Sequence, residues 1–180
     1  MKTLILLRHA KSGWEDGVAR DFDRPLNAKG ERAARTVGHR LRDEGMRFDQ
    51  VVASPALRVR QTLDHLWQGY GRTPEVRSDR RIYLASPDSL LEIVQETPEG
   101  AERLLLAGHN PGLEELVLML VPDDPEDRLR DDVEEKFPTA SVAVIELPAV
   151  RWRDVREGGG RLHRFMRPRD LDPSLGPDRD

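Results

Sequence analysis

The 180-residue chain has no cysteine, which excludes disulfide staples, thiolate nucleophiles and thiolate metal ligands. Long apolar runs are missing too. The N-terminal run from Leu4 to Leu7 is cut off at once by Arg8, too short for the core of a signal peptide and far short of a membrane span. Nor is there a surplus of one charge. The formal net charge of −4 provides no general attraction for nucleic acid or anionic membranes. Internal repeats and a composition break between domains are absent, so the expectation is one domain over residues 1–167, followed by a poorly ordered tail, 168–180, rich in Pro, Asp and Arg. A cytoplasmic location is expected. The chain also contains no Walker A loop, no G-x-G-x-x-G, no H-E-x-x-H and no G-x-S-x-G, the signatures of nucleotide, zinc-hydrolase and serine-elbow chemistry.

What is present alternates between strand and helix patterns. Thr3–Leu7 is a short apolar run of the kind buried on both faces of a sheet. Asn27 caps a helix whose apolar side carries Ala33, Ala34, Val37 and Leu41, with Gly45 as its stop. Residues 48–53 form a second strand. Ser54-Pro55 then serves as cap and first turn of a helix with Val59, Leu63, Leu66 and Trp67 at helical spacing. Arg80–Leu84 reads as a third strand, and Ser86-Pro87 as the start of a helix with Leu90, Leu91 and Val94 inward. Leu104–Ala107 is a further buried strand, and Asn110-Pro111 opens a helix with Leu113, Leu116, Val117 and Leu120. Val142–Leu147 is a late strand. Residues 150–155 and 162–165, flanking Gly158-Gly159-Gly160, read as a hairpin. The fold class that follows is α/β: a three-layer α/β/α arrangement with a mainly parallel central sheet and helices on both faces. Residues 123–135 carry eight acidic side chains and two arginines. They form a solvated loop or short helix without the ligand spacing of a calcium loop.

The unusual polar residues fall at the carboxyl ends of the strands, where open α/β sheets bind ligands. Arg8-His9 follows the first strand, Arg58 the second, and His109 follows the 104–107 strand. Arginine offers a fork of donors matched to phosphate oxygens, and histidine is a nucleophile or proton carrier near neutrality. Together they point to phosphoryl transfer onto an imidazole without metal or cofactor, the arginines neutralising charge that magnesium neutralises in kinases. Lys11 and Ser12 are further candidates for phosphate contact. Trp14 reads equally as a wall of the same region or as a packing residue, and residues 136–139 read first as core or turn, with the border of that region as the alternative. His39 and His65 read as surface side chains, and His163, in the late hairpin, is assigned no role.

Arg8-His9-Ala10 resembles the Arg-His-Gly signature of the histidine phosphatase superfamily, the phosphoglycerate-mutase-like fold. Pro25-Leu26 leading to Gly30 and Ala33-Ala34, Ser54-Pro55 with Arg58 and Gln61-Thr62, and Gly108-His109-Asn110 follow in the family's order. The RHAKSGW and GHNPG stretches are similar to the SixA-type phosphohistidine phosphatase branch. The resemblance implies that His9 is the nucleophile that becomes phosphorylated. It implies phosphate-binding roles for Arg8 and Arg58, and a hydrogen bond from His109 to the transferring phosphoryl group. Two guanidinium groups nearby are expected to depress the His9 pKa and keep it neutral. No carboxylic acid near residues 82–87 stands where ester-cleaving members carry a proton donor; Asp88 and Glu92 lie further along, on the next helix. A phosphohistidine substrate needs such a donor less than an alkyl phosphate does. The expected partner is a phosphorylated protein, with a small phosphate ester as the alternative and a non-catalytic phosphate-binding module as the third reading. Mutase activity is disfavoured by the short chain.

Overall fold

The computed structural model describes residues 1–14, 17–18, 20–148 and 151–177. Six strands form one sheet in the order β3-β2-β4-β1-β5-β6. They are β1 (Lys2–Arg8), β2 (Gln50–Ala53), β3 (Arg77–Ser78), β4 (Arg103–Gly108), β5 (Val142–Leu147) and β6 (Arg161–Met166). The first four run parallel, while β5 lies antiparallel to β1 and β6 antiparallel to β5.

Alternation along β1 divides the core into two. Ile5 and Leu7 point to the face covered by α1 (Ala28–Asp43) and α2 (Leu57–Tyr70). Leu4 and Leu6 point to the face covered by α3 (Pro87–Gln95), α4 (Gly112–Leu120) and α5 (Arg128–Glu135). All four are fully buried, each such leucine or isoleucine contributing about 1.5–3 kcal/mol by leaving water. This is the expected three-layer arrangement. Helices α1 and α2 approach closely because Gly38 and Gly69 face each other's backbones; a Cβ on either would collide with a carbonyl oxygen, of Leu66 or of Arg35. Asn27 caps α1 by accepting from the Gly30 N–H, and Ser86 caps α3 by accepting from that of Ser89.

Several local expectations are corrected. Residues 80–84 are not a strand: Asp79 accepts from the Arg81 N–H and starts a 3-10 turn over Arg80–Ile82, which drives Ile82 into the core. On the edge away from β4, β2 pairs instead with Arg77–Ser78. The late hairpin pairs differently, because β6 lies against β5 rather than against residues 150–155. Val150 lies outside the described residues, and Trp152–Asp154 is a 3-10 turn whose buried Trp152 donates its indole N–H to the Ala101 carbonyl at 2.7 Å. The glycines between them dock on the end of α4, with Gly158 and Gly160 donating to the Met119 and Leu120 carbonyls. Ser54 is not the cap of α2; that position is Ala56. The chain after 167 also differs from the expected loose tail. Pro168–Leu171 forms a short helix, α6, and Leu175 packs on the α1–α2 side of the core; residues 178–180 lie outside the described residues. The acidic stretch forms α5, anchored by the buried Val133. Among the described residues, no helix is long and apolar enough to cross a membrane.

Candidate active site

The carboxyl ends of β1, β2 and β4 surround a cavity of about 400 Å3. Arg8, His9, Lys11, Ser12, Arg58 and His109, the residues singled out from the sequence, all line it. Asp88 and Glu92 do not; both are exposed on α3. Trp14 stays largely exposed, with the Arg24 guanidinium 5.1 Å from its ring centre. Of the other histidines, His39 and His163 are exposed, and His65 is half-buried beside Arg35.

His9 is gripped from its backbone outward. Its N–H donates to the Gly108 carbonyl, and its own carbonyl accepts from the Ala140 N–H at 3.0 Å. The next N–H, of Ala10, donates to Thr62 Oγ1 at 2.8 Å, and that hydroxyl donates in turn to the Arg58 carbonyl at 2.6 Å. The loop therefore cannot shift without disturbing α2. Gly30 packs on the same loop so tightly that a Cβ there would strike the Lys11 carbonyl oxygen. Within the ring, Nδ1 lies 2.7 Å from the Ala10 carbonyl, which can only accept. Nδ1 therefore carries the proton, and Nε2 keeps its lone pair. Burial, more than the guanidinium charges the sequence pointed to, holds His9 down at about 3; Arg8, His109 and Arg58 add to that, and the Ala10 carbonyl opposes it.

His109 sits 5.4 Å from His9, ring centre to ring centre. Arg58 Nη2 approaches its Nδ1 at 3.2 Å, and a guanidinium can only donate, so Nδ1 is the acceptor. Nε2–H then donates to Ser54 Oγ at 2.8 Å. Arg58 thus fixes the tautomer of His109, and Ser54, which the sequence marked only as a helix cap, accepts from it. Burial lowers the His109 pKa to about 4, with the Arg58 charge acting in the same direction.

The two arginines are held rather than loose. Arg8 Nη1 donates to the Phe137 carbonyl at 2.9 Å. Arg58, almost wholly buried, donates to the Asp21 carbonyl at 2.8 Å and to its carboxylate at 3.0 Å. Nε of each arginine is buried without a protein acceptor among the described residues. Desolvated donors of this kind are costly, and an oxyanion between two guanidinium groups supplies the acceptors they lack.

Asp21 was not visible from sequence: it lies in an Arg-Asp-Phe-Asp-Arg stretch that reads as a solvated run of alternating charge. Its carboxylate accepts from Arg58, from Arg24 at 2.9 Å and from the Tyr83 hydroxyl at 2.6 Å. Burial pushes the carboxyl up, but the Tyr83 bond and the Arg58 charge outweigh it and bring it to about 2. Asp21 is also the one acidic residue among the described ones lining the cavity, and it holds no proton to give at neutral pH. Tyr83 was missed for a similar reason, since it falls where the sequence suggested a strand. Its ring stands edge-on to His109 at 5.4 Å. Leu84 and Ala140, at φ 51 and 60, are the non-glycine residues of the described chain in the left-handed region. One lines the cavity and the other holds the His9 carbonyl, which places local backbone strain at the site.

Comparisons with known proteins bear on the fold and the family. Residues 4–82 match the family model described as histidine phosphatase superfamily (branch 1). An uncharacterized protein of Mycobacterium tuberculosis is 37% identical over 164 residues, 91% of this chain and 100% of the relative. A solved structure of a putative phosphohistidine phosphatase SixA from Nakamurella multipartitia is 31% identical with a TM-score of 0.80, covering 93% of this chain and 96% of that one. A second putative SixA, from Agrobacterium tumefaciens, is 28% identical with a TM-score of 0.76, covering 93% and 98%. The chain belongs to the histidine phosphatase superfamily and is a phosphatase. Within it, the chain is of the SixA type, with the phosphoglycerate-mutase-like fold.

Proposed function

We propose that the protein is a metal-independent phosphohistidine phosphatase that acts through a phosphorylated His9. The observation that carries this reading is a pairing inside one cavity: an imidazole with its Nε2 lone pair bare, and, among the described residues that line it, no carboxyl group that holds a proton at neutral pH. Such a site suits a leaving group that departs without help. An imidazole protonated at its other nitrogen leaves as a neutral molecule, a phenolate leaves with a conjugate acid of about 10, and an alkoxide is far more basic than either.

In the first step His9 Nε2 attacks phosphorus in line, and the P–N bond to the substrate histidine breaks; that ring, already protonated at its other nitrogen, takes the electron pair and leaves as a neutral imidazole. Arg8 and Arg58 balance the charge on the equatorial oxygens. The arriving dianion offsets the burial and the guanidinium charge that keep His109 neutral. Nδ1 then takes a proton from water, which it returns when phosphate departs, and becomes a donor to the phosphoryl group, while Arg58 Nη2 turns from His109 to the same oxygens. In the second step water attacks phosphorus, the P–Nε2 bond breaks, and inorganic phosphate leaves with His9 restored. Lys11 and Ser12 contact the phosphoryl group or its immediate attachment from the rim.

The test is kcat/KM for a phosphohistidine peptide, an aryl phosphate and an alkyl phosphate side by side, with trapping of the phosphoenzyme. Phosphohistidine and aryl substrates should rank well above alkyl ones, and acid-labile label should map to His9. Efficient alkyl phosphate hydrolysis that collapses in Asp88→Asn or Glu92→Gln would instead identify a small-molecule ester phosphatase with its own proton donor.

A further inference from the structure

A second cavity, of about 370 Å3, adjoins the first and shares Arg8, Lys11 and Thr139 with it. It is bounded by α1, the segment before β5, and α6. Six of its lining side chains are basic (Arg8, Lys11, Lys29, Lys136, Arg167 and Arg169) and none is acidic among the described residues. In a chain of net charge −4 this is a local reversal of sign.

Some of these cations already serve the fold. Arg167 holds Asp170 through two nitrogens at 3.0 Å, with Asp132 and Glu135 adding negative potential around it, and Lys29 donates to the Gly176 carbonyl. Those acids lie outside the lining and fix the wall. Lys136 and Arg169, by contrast, are exposed at the rim. The floor between them is apolar, from Ala33, Pro138, Pro168 and Leu175. The hydrolytic steps make no use of Lys136 or Arg169.

We propose that this cavity binds an acidic segment of the phosphorylated protein, carboxylates lying two or three residues from the phosphohistidine; the proposal rests on the phosphohistidine reading above. Two or three extended residues span about 7–10 Å, enough to leave the first cavity past Arg8 and enter the second. The arrangement favours separated carboxylates over one compact second phosphate. A compact dianion needs convergent donors, and here the cations are spread around a wide mouth with apolar surface between them. That surface suits the aliphatic parts of a peptide. Contacts made away from the reacting bond, and made equally in ground and transition states, lower KM and leave kcat alone.

The experiment uses two phosphohistidine peptides that differ only in flank, one neutral and one carrying three carboxylates, on wild type and on the Lys136→Gln/Arg169→Gln double variant. Wild type at low salt should favour the acidic peptide by about tenfold in kcat/KM, through KM. In the double variant the preference should fall below about twofold, and added salt should erode it in wild type. Equal kcat/KM for the two peptides, or an undiminished preference in the double variant, overturns the proposal while leaving the phosphohistidine reading intact. Failure to turn over either peptide sinks that reading instead. The cavity is then decided by anisotropy of a fluorescent, unphosphorylated acidic peptide. Binding at least about fivefold weaker in the double variant supports the site, and equal binding overturns it. Tighter competition by inorganic pyrophosphate than by the acidic peptide itself also overturns it, assigning the cavity to a compact polyanion.

Discussion

Thr62→Val tests whether the His9 loop is anchored through α2. Thr62 is fully buried, and its hydroxyl accepts from the Ala10 N–H at 2.8 Å while donating to the Arg58 carbonyl at 2.6 Å. Valine keeps the shape and removes both bonds. The Arg58 carbonyl retains a helical partner, but the Ala10 N–H, in a residue with no exposure, loses its acceptor. An orphaned buried donor costs about 1–3 kcal/mol, which for a chain of this length lowers Tm by roughly 2–12 °C. Function should suffer more than stability, because the Ala10 carbonyl that orients His9 Nδ1 belongs to the same residue whose N–H has been freed. A loss of about tenfold in kcat, or 1.4 kcal/mol of barrier, is expected with little change in KM. Thr62→Ser restores the hydroxyl and should recover most of both. Thermal unfolding and steady-state kinetics with an aryl phosphate suffice. A Thr62→Val protein as stable and as active as wild type refutes the anchoring argument, and equal damage from serine shows that the methyl group mattered instead.

Three further outcomes are expected. Asp21→Asn, which weakens the partner of a buried guanidinium, should lower kcat/KM for an aryl phosphate by about tenfold, and Tyr83→Phe, which removes one donor to Asp21, by less; wild-type rates in Asp21→Asn would show that Arg58 orients itself. Histidine titrates near about 6.5 when unfolded, whereas His9 and His109 in the folded chain lie at about 3 and about 4. Below 6.5 the unfolded chain therefore binds protons that the folded chain refuses, so stability should be level above 6.5 and fall as pH drops toward 4. Asp21, depressed to about 2, keeps its contribution above its unfolded value and loses it only below that, in a more acidic window that overlaps the lower end of the His9 one. His9→Asn should abolish phosphoenzyme formation while folding, and its urea midpoint should drop less than that of wild type between pH 7 and pH 5; identical drops would mean that His9 is solvated.

How much of this was legible without coordinates can be read from particular residues. The first strand, the 104–107 strand and the apolar stripes of α1, α3 and α4 follow from short-range pattern, because periodicity and caps are local properties. The gathering of Arg8, His9, Arg58 and His109 followed from topology: in a parallel sheet every strand end faces the same way, so residues at three strand ends, and Arg58 in the first turn of the helix after β2, share one edge. Where tertiary demand exceeded local preference, pattern misled. Ile82 was pulled out of a strand by a 3-10 turn that seats it against Gly108, and Trp152 left the expected hairpin for the core. Pro168 and Leu175, in a segment whose composition suggests disorder, found apolar surface to cover.

The residue types at the strand ends, and through them a phosphoryl-transfer chemistry without thiol or nucleotide loop, were determined by the sequence itself. The side-chain state of that chemistry was not. The bare Nε2 of His9 depends on the Ala10 carbonyl and on burial. The tautomer of His109 depends on Arg58, 51 residues away, and the aim of Arg58 depends on Asp21, 37 residues away. Hydrogen-bond direction and desolvation are properties of packed neighbours, and only the tertiary structure chooses those neighbours.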